Sequence, residues 1–194
     1  MTRILTAVAL LALLCAPLAT ATADDVREVR GVELPLQISV GDHDLHLNGA
    51  GVRSRFFVRV YVGALYTTES VTDANEAITM DSPRRVHLAM LRDVGRDTMV
   101  DALEDGLENA MSSEERADYA DEIETFKSFF PGDFNAGYTG NIDVIPGEGL
   151  IVSMNDEELG RIESDTFAQF VLAIWLGDDP ADSDVKSGML EGRD

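Results

Sequence analysis

The chain has 194 residues, 36 of them acidic and 15 basic, giving a net charge of −21. That length suffices for one domain with its own core. Such acidity argues against nucleic acid and anionic membrane surfaces as general partners, because both want basic patches, and its main effect is solubility.

Residues 1–23 read as a secretory signal: Arg3 is the positive region, residues 4–14 are the apolar core, and Ala21-Thr22-Ala23 is the cleavage site. The apolar core is too short to span a bilayer, and no later stretch is long and apolar enough. A single domain over residues 24–194 is therefore expected, exported and without a transmembrane segment once the signal is removed. Cys15, the only cysteine, lies inside the signal. It follows Leu14, where a lipoprotein signal needs a small residue. An exported domain without disulfides suits a bacterial periplasm.

Residues 26–34 read as a first strand. Residues 36–40 and 44–47 alternate on either side of Gly41-Asp42-His43, which predicts a hairpin. Asn48-Gly49-Ala50-Gly51-Val52-Arg53-Ser54 reads as a tight glycine turn, a place to hold an anion. It runs into a long strand ending at Tyr66. The even positions Phe56, Val58, Val60, Val62, Ala64 and Tyr66 predict a core face. Arg59, Tyr61 and Gly63 predict a polar face or a cavity wall. A short helix is expected over residues 71–79 and a strand over residues 85–91.

Helical spacing begins near Asp97, read as the N-cap, with the stripe Met99, Val100, Leu103, Leu107, Ala110 and Met111. Ser112 and Glu115 form a capping box for a second helix striped by Tyr119, Ile123, Phe126, Phe129 and Phe130. Residues 137–145, 149–154 and 158–162 read as strands. Ser164 caps a third helix with Phe167, Phe170, Val171, Ile174 and Trp175 on one side and Gly177 at its end. Residues 182–190 form a short last helix. Strands, helices, strands and a helix in this order make an α+β domain, an antiparallel sheet with helices gathered on one side.

Asn48–Arg53, the strand carrying Gly63 and Tyr66, and Phe130-Pro131-Gly132 together resemble the chalcone isomerase family. Trp175-Leu176-Gly177-Asp178-Asp179-Pro180 and the segment after it are similar to the bacterial chalcone isomerase-like branch. The resemblance covers roughly residues 29–191. It implies an open-faced β-sandwich, a long antiparallel sheet with a layer of helices and a ligand cleft between them. In catalytic relatives an arginine at the position of Arg53 grips the ligand's anionic oxygen. A threonine position falls on Tyr61, the catalytic tyrosine near Thr98, a ligand-binding asparagine near Asp105, and a distal hydroxyl near Ile174. Only the arginine survives, so efficient cyclisation of a chalcone is not expected; removing even one oxyanion donor typically costs about 10²–10³ in rate.

In the fatty-acid-binding branch an arginine and a strand tyrosine clamp a carboxylate, and Arg53 and Tyr61 match that pair. A guanidinium fork and a phenol together offer three hydrogen bonds to a carboxylate. The expectation is a small amphipathic carboxylate held by these two residues, with Leu103, Leu107, Phe170 and Ile174 lining an apolar cleft. The alternatives are an isomerase acting on a chalcone-like unsaturated carbonyl compound, and an envelope protein with a vestigial cleft. No catalytic residue is assigned. No metal or cofactor is expected either: His43 and His46 are three apart on a strand and fall on opposite faces. There is no serine elbow and no Walker-type phosphate loop.

Overall fold

Seven strands form one antiparallel sheet in simple sequence order: β3 (Gln37–Val40), β4 (His43–Arg55), β5 (Val58–Thr67), β6 (Arg84–Met90), β7 (Thr139–Ile145), β8 (Gly149–Met154) and β9 (Glu157–Ile162). The computed structural model describes residues 26–193, so the predicted signal lies outside the described residues. The expected first strand is in fact a separate ribbon, β1 (Val26–Val29) paired with β2 (Val32–Pro35). It turns at Arg30-Gly31, both with positive φ (56° and 82°), a two-residue turn that glycine favours.

The helices are α1 (Ala74–Thr79), α2 (Arg96–Ala110), α3 (Ser113–Asp118), α4 (Ala120–Ser128), α5 (Asp165–Leu176) and α6 (Ser183–Met189). The capping box at Ser112 forms, with Glu115 N donating to Ser112 Oγ and Ser112 N donating to Glu115 Oε2. The helix it starts breaks at Tyr119 into α3 and α4. Ser164 and Gly177 bound α5 as expected. α2 begins one residue before Asp97, with Gly95 as its cap, and Arg96 N donates to Asp133 Oδ1 at 2.9 Å.

Both faces of β5 are core, which corrects the one-faced expectation. Tyr61 and Leu65 join the helix-side cluster with Leu103, Leu107, Phe167 and Trp175. Val62, Ala64 and Tyr66 join a second cluster with Leu34, Leu45 and Leu47, to which β2 contributes.

The expected glycine turn is the interior of β4. Gly49, Ala50, Gly51, Val52 and Arg53 pair in turn with Leu65, Ala64, Gly63, Val62 and Tyr61 of β5. The glycines are there because α6 lies against the ribbon. A Cβ on Gly51 would sit 2.5 Å from the Asp184 carbonyl oxygen, and one on Gly49 would overlap the Gly188 carbonyl. A Cβ on Gly63 would reach 2.9 Å from the Met189 methyl. Asn48 locks the contact: its Nδ2 donates to the carbonyls of Val71 and Met189 at 2.8 Å each, and its Oδ1 accepts from Val71 N at 2.9 Å. Backbone meets backbone here, leaving no room for an anion.

Candidate functional site

Past Gly51 the β4–β5 ribbon leaves the cover of α6. Its register slips between Arg53 and Ser54: Arg53 pairs with Tyr61 but Ser54 pairs with Arg59, leaving Val60 as an extra residue in a bulge. Val60 O accepts from Leu91 N at 2.9 Å, which ties the bulged strand to the end of β6. The ribbon then closes at Phe56-Phe57. The real turn therefore lies between two aromatic residues and not in the glycine segment.

The bulge places Arg53 above Tyr61. The guanidinium carbon is 5.6 Å from the ring centroid, a cation–π distance. Tyr61 is 1% exposed, and its hydroxyl accepts from Trp175 Nε1 at 2.9 Å. Burial raises the phenol's pKa, with the Arg53 charge opposing. The hydroxyl thus keeps its proton and can donate it in a second hydrogen bond. Among the described residues no carboxylate pairs with Arg53, whereas Arg85 is held by both oxygens of Asp143 at 2.5 and 2.7 Å. Arg53 shares this lack of a carboxylate with Arg55 and Arg92, which line a pocket with it, but only Arg53 also stands over Tyr61.

Arg53 stands between two spaces. Outside it is an open pocket of about 360 Å³ between the ribbon end and the start of α2, whose walls include Phe56, Val58, Val60, Thr98 and Met99. Inside is a void of about 10 Å³ bounded by Arg53, Tyr61, Leu103, Ile174 and Trp175. A neighbouring void of about 30 Å³ lies against Met99, Leu103, Phe130 and Trp175. Each has room for about one water molecule. The interior slot expected from sequence is therefore filled by its own side chains. Leu103, Leu107 and Ile174 are buried core, and Phe170 packs edge-on against Tyr119. The open volume lies at the mouth.

Of the residues singled out from sequence, Arg53, Tyr61 and Ile174 meet at the inner void, and Arg53 and Thr98 share the outer pocket. Asp105 joins neither; it is on the exposed side of α2. The residue that turns inward is Gly106, where a Cβ would come within 2.7 Å of Ile174 Cγ2. Sequence reasoning assigned Trp175 to the core stripe and missed it as the partner of Tyr61. A lone tryptophan on a buried stripe needs an acceptor for its N–H, and that signal was available.

Residues 26–191 match the chalcone isomerase-like family. The chain belongs to that family. Its curved antiparallel sheet with helices is the chalcone isomerase-like fold. A solved structure of a fatty-acid binding protein of Arabidopsis thaliana superposes with a TM-score of 0.68 at 16% sequence identity, covering 82% of this chain and 92% of that one. At that identity the likeness speaks for the fold alone. No curated protein matches the chain significantly. No helix among the described residues is long and apolar enough to cross a membrane. In this chalcone isomerase-like chain the open pocket offers a ligand Arg53, Arg55 and Arg92, the carboxylate of Asp93 and the apolar side chains Phe56, Val58, Val60 and Met99, while the protonated phenol of Tyr61 is buried beneath Arg53.

Proposed function

We propose that this chalcone isomerase-like protein binds a small amphipathic carboxylate, such as a fatty acid, without transforming it. The observation that carries the reading is Arg53: a guanidinium without a carboxylate partner among the described residues, standing over Tyr61 on the wall of a pocket of about 360 Å³ that also presents Phe56, Val58, Val60 and Met99. That volume is at the lower end for ligand sites. The carboxylate would meet Arg53, and the alkyl chain would lie across Val58, Val60 and Met99. Tyr61 supports Arg53 from below and offers its proton if the guanidinium shifts aside. Membership of a family whose fold is shared with a fatty-acid binding protein supports the reading.

Titration with a fluorescent fatty acid tests it. Arg53→Ala should weaken binding about 10–100-fold, the usual worth of a charge-assisted hydrogen-bond pair. An unchanged affinity would remove Arg53 from the site. Because the interior is filled, medium-chain acids should bind as tightly as long-chain ones. Following chalcone by absorbance should give a rate no better than buffer. Export to a periplasm is part of the same proposal, supported by Arg3, the apolar residues 4–14 and Ala21-Thr22-Ala23. N-terminal sequencing of the envelope-located protein should start at Asp24; a start at residue 1 would refute it.

A further inference from the structure

The most exposed apolar groups of the described chain sit together at one point, the tip of the β4–β5 ribbon. Phe56 is 84% exposed and Phe57 105%, and Val58 beside them is also exposed. Both phenylalanines have positive φ, 49° and 65°. These are the central positions of a two-residue hairpin turn, which ordinarily carries Asn-Gly because left-handed backbone is costly for a residue with a large side chain. Neither ring gains burial in return. The sequence thus holds two aromatic rings in water, on a strained turn, at the outermost part of a hairpin.

Positive charge is also concentrated around the tip, in a chain whose net charge is −21. Arg55 and Arg59 flank the turn, and Arg92 faces it across the pocket. None of the three has a carboxylate partner among the described residues, a state they share with Arg30, Arg53, Arg84 and Arg193. Arg84 and Arg193 are committed to backbone carbonyls, whereas among the described residues no hydrogen bond holds the side chains at the tip. Arg55 lies 5.6 Å over the Phe56 ring. Asp93 is the carboxylate on this rim, and its Oδ1 is already taken by Ala136 N at 2.8 Å. Asp182, close by on the ribbon's other side, accepts from Ser54 N and from the first turn of α6.

We propose that this tip docks on a phospholipid bilayer, with Phe56 and Phe57 entering the interface and Arg55, Arg59 and Arg92 taking headgroup phosphates. Exposed aromatic rings combined with unpaired arginines fit the apolar–polar boundary of a bilayer. The chain's net charge of −21 argues against membranes only as an average. Charges set back from the tip are screened over about 8 Å at physiological salt. Phe56 and Arg55 also wall the outer pocket, so docking would bring the pocket's mouth to the lipid surface.

Flotation with mixed phosphatidylcholine and phosphatidylglycerol vesicles tests this, using full-length protein at the lipid concentration that recovers half of the wild type. Any effect of the N-terminal apolar stretch is common to all variants, so differences report the tip. Phe57→Gly suits the local backbone and does not touch the pocket; it should lower the vesicle affinity about tenfold while leaving fatty-acid affinity in solution unchanged. Arg55→Gln with Arg59→Gln should lower it further and make it less sensitive to salt, Arg92 keeping the remainder. Arg53→Ala should still float, so loss of fatty-acid binding and loss of docking are separable. Equal recovery of wild type and Phe57→Gly would overturn the proposal. So would a wild type that does not float but sediments as a dimer that Phe57→Gly dissociates.

Discussion

The two ends of the β4–β5 ribbon are built from the same two strands and behave as opposites. At the inner end Gly49 and Gly51 bring the backbone of α6 so close that not even a methyl group would fit. At the outer end large side chains stand in solvent on left-handed backbone. Arg53 and Tyr61 sit at the boundary, where a bulge breaks the register. A run of small residues can therefore mark a place where the chain is pressed against itself, while the accessible chemistry begins where the glycines stop.

The sharpest way to break the comparison is at the inner end. Gly51→Ala drives a methyl into the Asp184 carbonyl, where only backbone could give way, and should cost about 3 kcal/mol in denaturant unfolding. At the boundary, Tyr61→Phe removes the acceptor of Trp175 Nε1 and leaves that N–H buried and unpaired. A loss of about 2 kcal/mol is expected by the same measurement. At the outer end the sign reverses. Phe57→Gly relieves left-handed strain without losing a buried contact, and should stabilise the fold by about 1 kcal/mol.

The smallest effect lies outside the ribbon. His87 Nδ1 donates to Asn141 Oδ1 at 2.7 Å, and burial lowers the ring's pKa despite that bond; Arg85, Asp143 and Asp156 are the charged groups facing it. Unfolded chains take up the imidazole proton near pH 6.5, before the folded chain does. Stability contributed by neutral His87 is therefore lost as the pH falls from about 6.5 toward the lower folded value. His87→Asn should flatten the dependence of Tm on pH across that window.

Much of the architecture was legible because its signals are local. Ser112 with Glu115, Ser164 and Gly177 sit at the helix boundaries they predict, and Gly147 and Gly149 adopt the positive φ of the turn between β7 and β8. The misreadings share one cause. The need for Gly51 is set by Asp184 and Val185, far away in sequence, so its neighbours along the chain describe a turn that does not exist. Phe56-Phe57 carries no turn chemistry, and tertiary pairing on both sides imposes the bend. The resemblance set Asp105 near the ligand, whereas the apolar stripe of α2 leaves it on the wet face, where it is found; a helix rotates about 100° per residue. Moving one position, to Gly106, exchanges solvent for Ile174. Whether a slot is empty or filled cannot be read from a stripe of apolar residues, since Leu103 and Ile174 would look the same either way.

The clasp between Asn48 and Met189 spans 141 positions of sequence. During synthesis the ribbon is made long before the helix that covers it, and until then Gly49 and Gly51 present bare main chain. A message truncated just ahead of Asp182 would yield a polypeptide with its sheet drafted and this seam unsealed. Such a product would be a target for quality-control proteases rather than a weakened version of the domain, so premature stops even this late should behave as complete losses.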